Sequence, residues 1–386
     1  MLRLSCFFSL VFSLLLVGCS SEPSEPELLD LTVSLALPDW GYQLVTEPVQ
    51  VEPYSEEFIC SVVRLEPESD ELLVWVNELE SMSSENSHHM NVFLGQFSFL
   101  DAFLEDGAFE SQLGVGLGTH DCDDLGNMME VTFPIFPSQR TNQRITMPEG
   151  VGIPLVAPLV LIIQHHYLNL GDVPVLINAA LNIERVDPAL VDDAASMIFD
   201  DIPDLQIPGG SQKVEARTCV INRDVEVALV STHSHERADC ATLSRYSASE
   251  DAVELDPFFV NKSWETPPIL HFERESFPVA AGDGVHWACH YTDHFGVDAI
   301  NDGTASGEMC VFAAVTYPAP RTVEEISSVL ASGDLLSIYA LVDELLADCD
   351  EHPEVVSPWP MTETPNFGAL VDSCEAWDQT ESNVLN

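Results

Sequence analysis

"VEVALVSTHSH", Val225 to His235, is the stretch on which the fold turns. Its apolar residues, and then its two histidines, recur at every second position, the period of a β-strand. On that period Val225, Val227, Leu229, Ser231, His233 and His235 share one face, and Glu226, Ala228, Val230, Thr232 and Ser234 share the other. The imidazoles thus continue an apolar face and lie close together. An H-x-H pair so placed can bring both rings to one metal ion. Two polar histidines ending a strand is the plainer alternative.

Segments of the same kind lie on both sides. "FICSVVRLE", "ELLVWVN", "MNVFLG", "MEVTFPIF", "LVLIIQHHYLN" and "PVLINAALNIE" precede it, and "ILHFE", "GVHWACHYT" and "EMCVFAAVTYP" follow. Proline at strand ends and glycine-bearing turns suit the edges of sandwiches. The acidic stretch from Asp187 to Lys213 reads as a connection in which "ASMIF" begins a new strand. Helical periodicity comes only in "TVEEISSVLASGDLLSIYALVDELLADC". There Thr322 and Glu325 form a capping box, and Leu330, Leu336, Tyr339, Leu341 and Leu345 supply one apolar face. The expected fold is all-β: two tandem antiparallel β-sandwich, jelly-roll-like domains at 49–187 and 188–320, then a helical or irregular extension at 321–386.

The 386 residues carry 64 acidic and 13 basic side chains, a formal charge of −51. Phosphate neutralisation needs Lys and Arg, so this balance excludes nucleic acid as a partner. It equally opposes docking on anionic lipid by charge. An acidic, solvated surface accounts for it, and it weakly favours a cationic amine as substrate.

Arg3 and the apolar run Leu4–Val17 read as an export signal, too short to span a bilayer. "LVGC" ending at Cys19 resembles the lipobox of bacterial lipoproteins. That implies a signal peptide at 1–19, lipid on Cys19 and a flexible tether at 20–48. Ser20 after the cysteine favours the outer membrane over the inner one. The expected location is the bacterial cell envelope, periplasm-facing or at the surface, with the chain a lipid-anchored monomer. In that oxidising compartment Cys60, Cys122, Cys219, Cys240, Cys289, Cys310, Cys349 and Cys374 suit disulfides.

Further histidines stand in "SHHMNVF", as His88 and His89, and in "IIQHHYLN", as His165 and His166. Neighbours on a regular strand point to opposite faces, so both can meet one ion only where the strand bends or ends. Both faces of "LVLIIQHHYLN" are apolar, so periodicity does not choose between His165 and His166. Met309 in "DGTASGEMCVF" lies where a turn becomes a strand. A lone Met is ordinary core filler; among imidazoles its soft sulfur favours Cu(I).

"HHM", then His-Tyr at a strand end, then H-x-H, then "EMC" resembles, in order and separation, the copper type II, ascorbate-dependent monooxygenases. Peptidylglycine alpha-hydroxylating and dopamine beta-monooxygenases typify that family. "MPEGVGIPL", "QIPGG" and "FPVAAGDGVHWACHYTD" strengthen the likeness, which runs from about Pro53 to Pro318. It implies two separate mononuclear coppers. His88, His89 and His166 would hold the electron-storing one, with His165 a bystander. His233, His235 and Met309 would hold the one that meets O2 and a small-molecule substrate. Gln164, two before the His-Tyr ligand, matches the pattern too. Ascorbate or a similar one-electron donor would be the reductant. The resemblance also implies Cys60–Cys122 and Cys289–Cys310 disulfides, with Cys219 and Cys240 divided between Cys349 and Cys374.

The peptidylglycine enzymes carry an Arg two residues before H-x-H, and Asn and Tyr two and four past the Met. Here those positions are Ser231, Val311 and Ala313, so the carboxylate clamp for a C-terminal glycine is missing. A non-catalytic copper-storing or copper-sensing lipoprotein would use the same ligands. A zinc site is opposed by the Met. His120, His286, His290 and His294 read as loop, packing or supporting residues, Trp287 as core.

Overall fold

The computed structural model describes residues 28–65, 72–95, 113–126, 132–254, 256–301, 307–345 and 350–351. The principal strands are β1 Gly41–Val45, β2 Ser55–Leu65, β3 Leu73–Ser83, β4 Ser87–Gly95, β5 Thr132–Ser138, β6 Val151–Val156, β7 Leu159–Asn169 and β8 Ala179–Arg185. They continue as β9 Ser196–Asp201, β10 Gln212–Val220, β11 Val225–Ser234, β12 Ala238–Ser247, β13 Gly284–Thr292 and β14 Cys310–Tyr317. Helices α1 Val323–Ser332 and α2 Leu335–Leu345 follow. The chain is all-β with a short helical extension, as its patterning dictates.

In the first sandwich one sheet runs β6-β3-β8-β1 and the other β2-β7-β4-β5. The pairings between these long strands are antiparallel. β7 is central and covered on both faces, which is why it reads as a continuous apolar run. Leu159, Leu161 and Ile163 face the sandwich core. Val160 and Ile162 face outward, under Leu113 and Leu125.

The second sandwich sets β9-β14-β11 against β12-β13-β10. Its core gathers Val225, Val227 and Val230 with Leu243, Trp287 and Phe312. The alternation expected of "VEVALVSTHSH" therefore does not run unbroken. The β11–β14 register shifts between Val227 and Leu229, a β-bulge at Ala228. Beyond it the faces exchange. Leu229 leaves the domain's own core and joins the first domain's, along with Met197 and Val315. A single extra residue is enough, because the side-chain period is two. The two domains consequently share a continuous apolar contact, with Phe133 and Phe199 meeting edge-to-face at 6.5 Å.

Two further expectations are corrected. The flexible tether expected over 20–48 does not extend through its described part: Leu29–Asp30 pairs with Val175–Leu176 and β1 pairs along β8. Gly41 permits that approach: a Cβ there would stand 2.0 Å from the Ile183 carbonyl oxygen. The guanidinium of Arg185 also lies over the Trp40 ring, 4.4 Å from its centroid. Leu336 and Tyr339 do not join Leu330 on one helical face; both are exposed. Gly333, in the left-handed region at φ 65°, ends α1 and resets the phase. Ile326, Leu330, Ile338, Leu341 and Leu345 pack on Trp75, Val156 and Val191 of the first domain. The capping box of Thr322 and Glu325 is formed.

The Cys60–Cys122 and Cys289–Cys310 disulfides are present. Cys219 and Cys240 are also disulfide-bonded. Cys349 and Cys374 lie outside the described residues, as do the signal segment, Cys19 and most of the extension beyond α2.

Candidate metal centre

His89 on β4 stands directly opposite His166 on β7, and the register slips at the next pair, where Tyr167 meets Ser87. His88 is the residue left over. That bulge is what lets consecutive histidines turn to one side. His88 Nδ1 lies 3.0 Å from His89 Nδ1 and 3.1 Å from His166 Nδ1. Nitrogens each about 2 Å from one ion stand roughly 2.8–3.5 Å apart for right-angled to trigonal placement, so the spacing fits a single metal. Among the described residues these three form a group that could hold an ion.

The other nitrogen of His166, Nε2, meets Glu56 Oε1 at 2.7 Å. Such a carboxylate fixes a ligating ring's tautomer and raises its basicity. Phe58 stacks on the same ring at 3.9 Å. His165 takes no part: its Nε2 lies 2.6 Å from Ser87 Oγ, and it is buried on the opposite face of β7. Burial, reinforced by His88, pushes His166 down to about 3. Burial likewise lowers His88 and, with the neighbouring rings, holds His89 far below the ordinary imidazole range. The rings are thus neutral at physiological pH, with lone pairs free for a metal.

His233 and His235 arrive from the end of β11, their rings 5.1 Å apart. Burial and His235 push His233 down to about 3, and its buried Nδ1 has no hydrogen-bond partner. Met309 lies at the start of β14, where the Cys289–Cys310 bridge anchors the next residue. The Tyr291 hydroxyl donates to the Met309 carbonyl at 2.8 Å. A fully buried carboxylate, Glu308, ties the two pieces together. It accepts backbone N–H groups from His235, from Arg237 at 3.0 Å and from Met309 at 3.0 Å. Burial nevertheless raises Glu308 to about 7, against the pull of those N–H groups.

His233, His235 and Met309 line one cavity of about 150 Å3 between the domains. His89 lines it from the other side, and its ring meets that of His233 at 6.3 Å. The two donor sets, expected as separate centres, therefore abut. The apolar contact through Leu229 and Met197 brings the ends of β4 and β11 face to face. Trp264 of the second domain closes over His88 at 5.5 Å.

Of the six side chains expected from the sequence, His89, His233, His235 and Met309 line one interdomain space, and His88 and His166 group with His89 beside it. Glu56, Glu308 and Trp264 were not chosen. Glu56 carries no sequence signal, being 110 residues from His166. Glu308 had one, a carboxylate leading into an apolar strand.

No protein-family model matches the chain, and no curated protein matches it. Among solved structures, the STIV MCP crystal structure aligns at TM-score 0.29 and 7% identity, over 71% of this chain and 97% of that one. The infectious bursal disease virus VP2 subviral particle aligns at TM-score 0.18 and 10% identity, over 76% and 75%. Likenesses this weak carry no argument about fold or function.

Proposed function

We propose that the chain is a copper-dependent monooxygenase of the copper type II, ascorbate-dependent kind. It would hydroxylate a C–H bond of a small organic substrate with O2 and a one-electron donor such as ascorbate. The observation that carries this reading is that His89, His233, His235 and the Met309 thioether line one interdomain cavity, with His88 and His166 grouped beside His89. Neutral imidazoles with a soft sulfur fit copper better than zinc or magnesium. His88, His89 and His166 would hold one ion, and His233, His235 and Met309 the other. Copper when bound supplies one-electron steps, so that R–H, O2, two electrons and two protons give R–OH and water.

The protein's own share is positional. Glu56 orients His166, and Glu308 fixes the distance between Met309 and the H-x-H strand. The apolar wall from Phe93, Phe199 and Ile269 keeps water from the reacting atoms. We place the protein in the bacterial envelope, anchored through Cys19.

The test is anaerobic loading with copper, metal counting, and oxygen uptake with ascorbate, in wild type and Met309→Ala. Two coppers per chain falling toward one, with uptake lost, is the expected result. Full loading with no uptake across a broad substrate panel would make this a copper-storage protein instead.

A further inference from the structure

Four exposed apolar side chains gather at one end of the first domain. Tyr54 is 74% exposed and Leu170 79%, while Leu28 and Leu29 are nearly half exposed. Ser55 of β2 pairs with Asn169 of β7, so Tyr54 and Leu170 stand opposite each other just past the last rung of that ladder. Leu29 is the partner of Val175, and Val175 is the partner of Val51, three residues before Tyr54. The buried Asn169 side chain ties these pieces together. It donates to the carbonyls of Val51 at 3.2 Å, Glu52 at 2.9 Å and Val173 at 3.0 Å. The apolar end is therefore a fixed surface. Tyr54 also holds φ at 55°, in the left-handed region. Glycine or asparagine takes that conformation at less cost, and a ring this exposed recovers little of it by burial. A strained, exposed aromatic points to a contact outside the fold.

What makes that contact is set by the path of the chain. Cys19 stands nine residues before Leu28, a reach of at most about 30 Å when fully extended. Lipid on Cys19 would hold a bilayer within that distance of the end to which Leu28 and Leu29 belong. Exposed Asp30, Glu52, Glu56 and Asp172 flank the four apolar residues. Their carboxylates oppose an anionic bilayer, whereas leucine and tyrosine side chains enter the interface of an uncharged one.

We propose that this end of the first domain docks on a zwitterionic bilayer, with Leu28, Leu29, Tyr54 and Leu170 entering the headgroup layer. The inference rests on the lipid-anchor reading and is independent of the monooxygenase one. Docking fixes the orientation of a body that the anchor alone would leave free on its tether. The three-histidine set then lies toward the membrane, because His166 is three residues before Asn169 on β7 and its partner Glu56 follows Ser55 on β2.

The test is fluorescence of the lipidated full chain in vesicles of phosphatidylcholine and phosphatidylethanolamine. Leu170→Trp adds an emitter at the apolar end. Leu190→Trp adds one at an exposed control position, beyond the opposite end of β8. Wild-type emission is subtracted from each. Most of the emission added by L170W should be lost to phosphatidylcholine brominated on its acyl chains, and it should be shielded from iodide. The emission added by L190W should show the reverse. Phosphatidylglycerol in the same vesicles should weaken the L170W quenching, most of all at low salt. Equal iodide access at the two positions overturns the proposal, as does quenching that strengthens with phosphatidylglycerol. Mass spectrometry of the same sample reads the anchor itself. A Cys19 without lipid sinks the anchor reading and this proposal with it, whereas a lipidated chain with L170W open to iodide sinks the docking alone.

Discussion

Glu56 meets His166 from a different strand, and Glu308 meets His235 and Met309 from the loop between them. Neither would touch a metal, yet each fixes a side chain that would. Glu56→Gln should weaken copper held by the three-histidine set by roughly 10–100-fold and spare the other set. Chelator competition with the two sites counted separately checks this. Glu308→Gln leaves one acceptor oxygen for three backbone N–H groups, and a buried donor without a partner costs about 1–3 kcal/mol. A fall in urea midpoint together with weaker copper at the Met309 site is expected; a lower midpoint with copper affinity intact would show Glu308 to be merely structural. At this scale the candidate donors are legible in "HHM", "QHHY", "THSH" and "EMC". Periodicity alone was not enough to separate His165 from His166, because β7 is apolar on both faces. Glu56 was invisible, because only folding brings it beside His166.

Two bulges do at the level of elements what no regular strand can. One at His88 sets two consecutive imidazoles on one side, and one at Ala228 turns the end of β11 toward the first domain. The first supplies the bend that two consecutive histidines need in order to meet one ion. The second was hidden, since Val227, Ala228, Leu229 and Val230 are all apolar and give no mark of a slip. Deleting Ala228 should return His233 to the second domain's core side and abolish the Met309 site. Copper would fall from two toward one, with the three-histidine set still loaded; two coppers retained would show that the bulge does not aim the ring. The helices teach the same lesson. Gly333 resets their phase, so one apolar face read across it assigned Leu336 and Tyr339 wrongly. Gly333→Ala should cost about 1 kcal/mol, read from the thermal midpoint, because a Cβ is strained at positive φ.

Across the whole molecule, buried neutral histidines link stability to pH. Burial pushes His165, His286 and His290 each down to about 4. The unfolded chain therefore takes up these protons first. Their stabilising contribution is complete above the ordinary value of 6.5 and is lost as pH falls toward 4. Each loses on the order of 2 kcal/mol between about pH 7 and pH 5. Glu308, raised to about 7, acts in the opposite sense over the same interval. His290→Phe isolates one contribution, since neither ring nitrogen of His290 has a hydrogen-bond partner. The variant should gain on wild type in urea unfolding at pH 5 more than at pH 7; an equal difference at both would contradict the linkage. Two sandwiches were legible from strand spacing, whereas their close contact was not, because Leu229 and Met197 read as ordinary core until the partner domain is seen. Finally, the bridge from Cys289 ends at Cys310, immediately after Met309. A chain kept reduced would offer a thiolate there, and a thiolate outcompetes a thioether for cuprous ion. On the copper reading proposed above, maturation would have an obligatory order, oxidation of the cysteines before delivery of the ion. Premature metallation would trap the nascent protein with its cargo on the wrong sulfur.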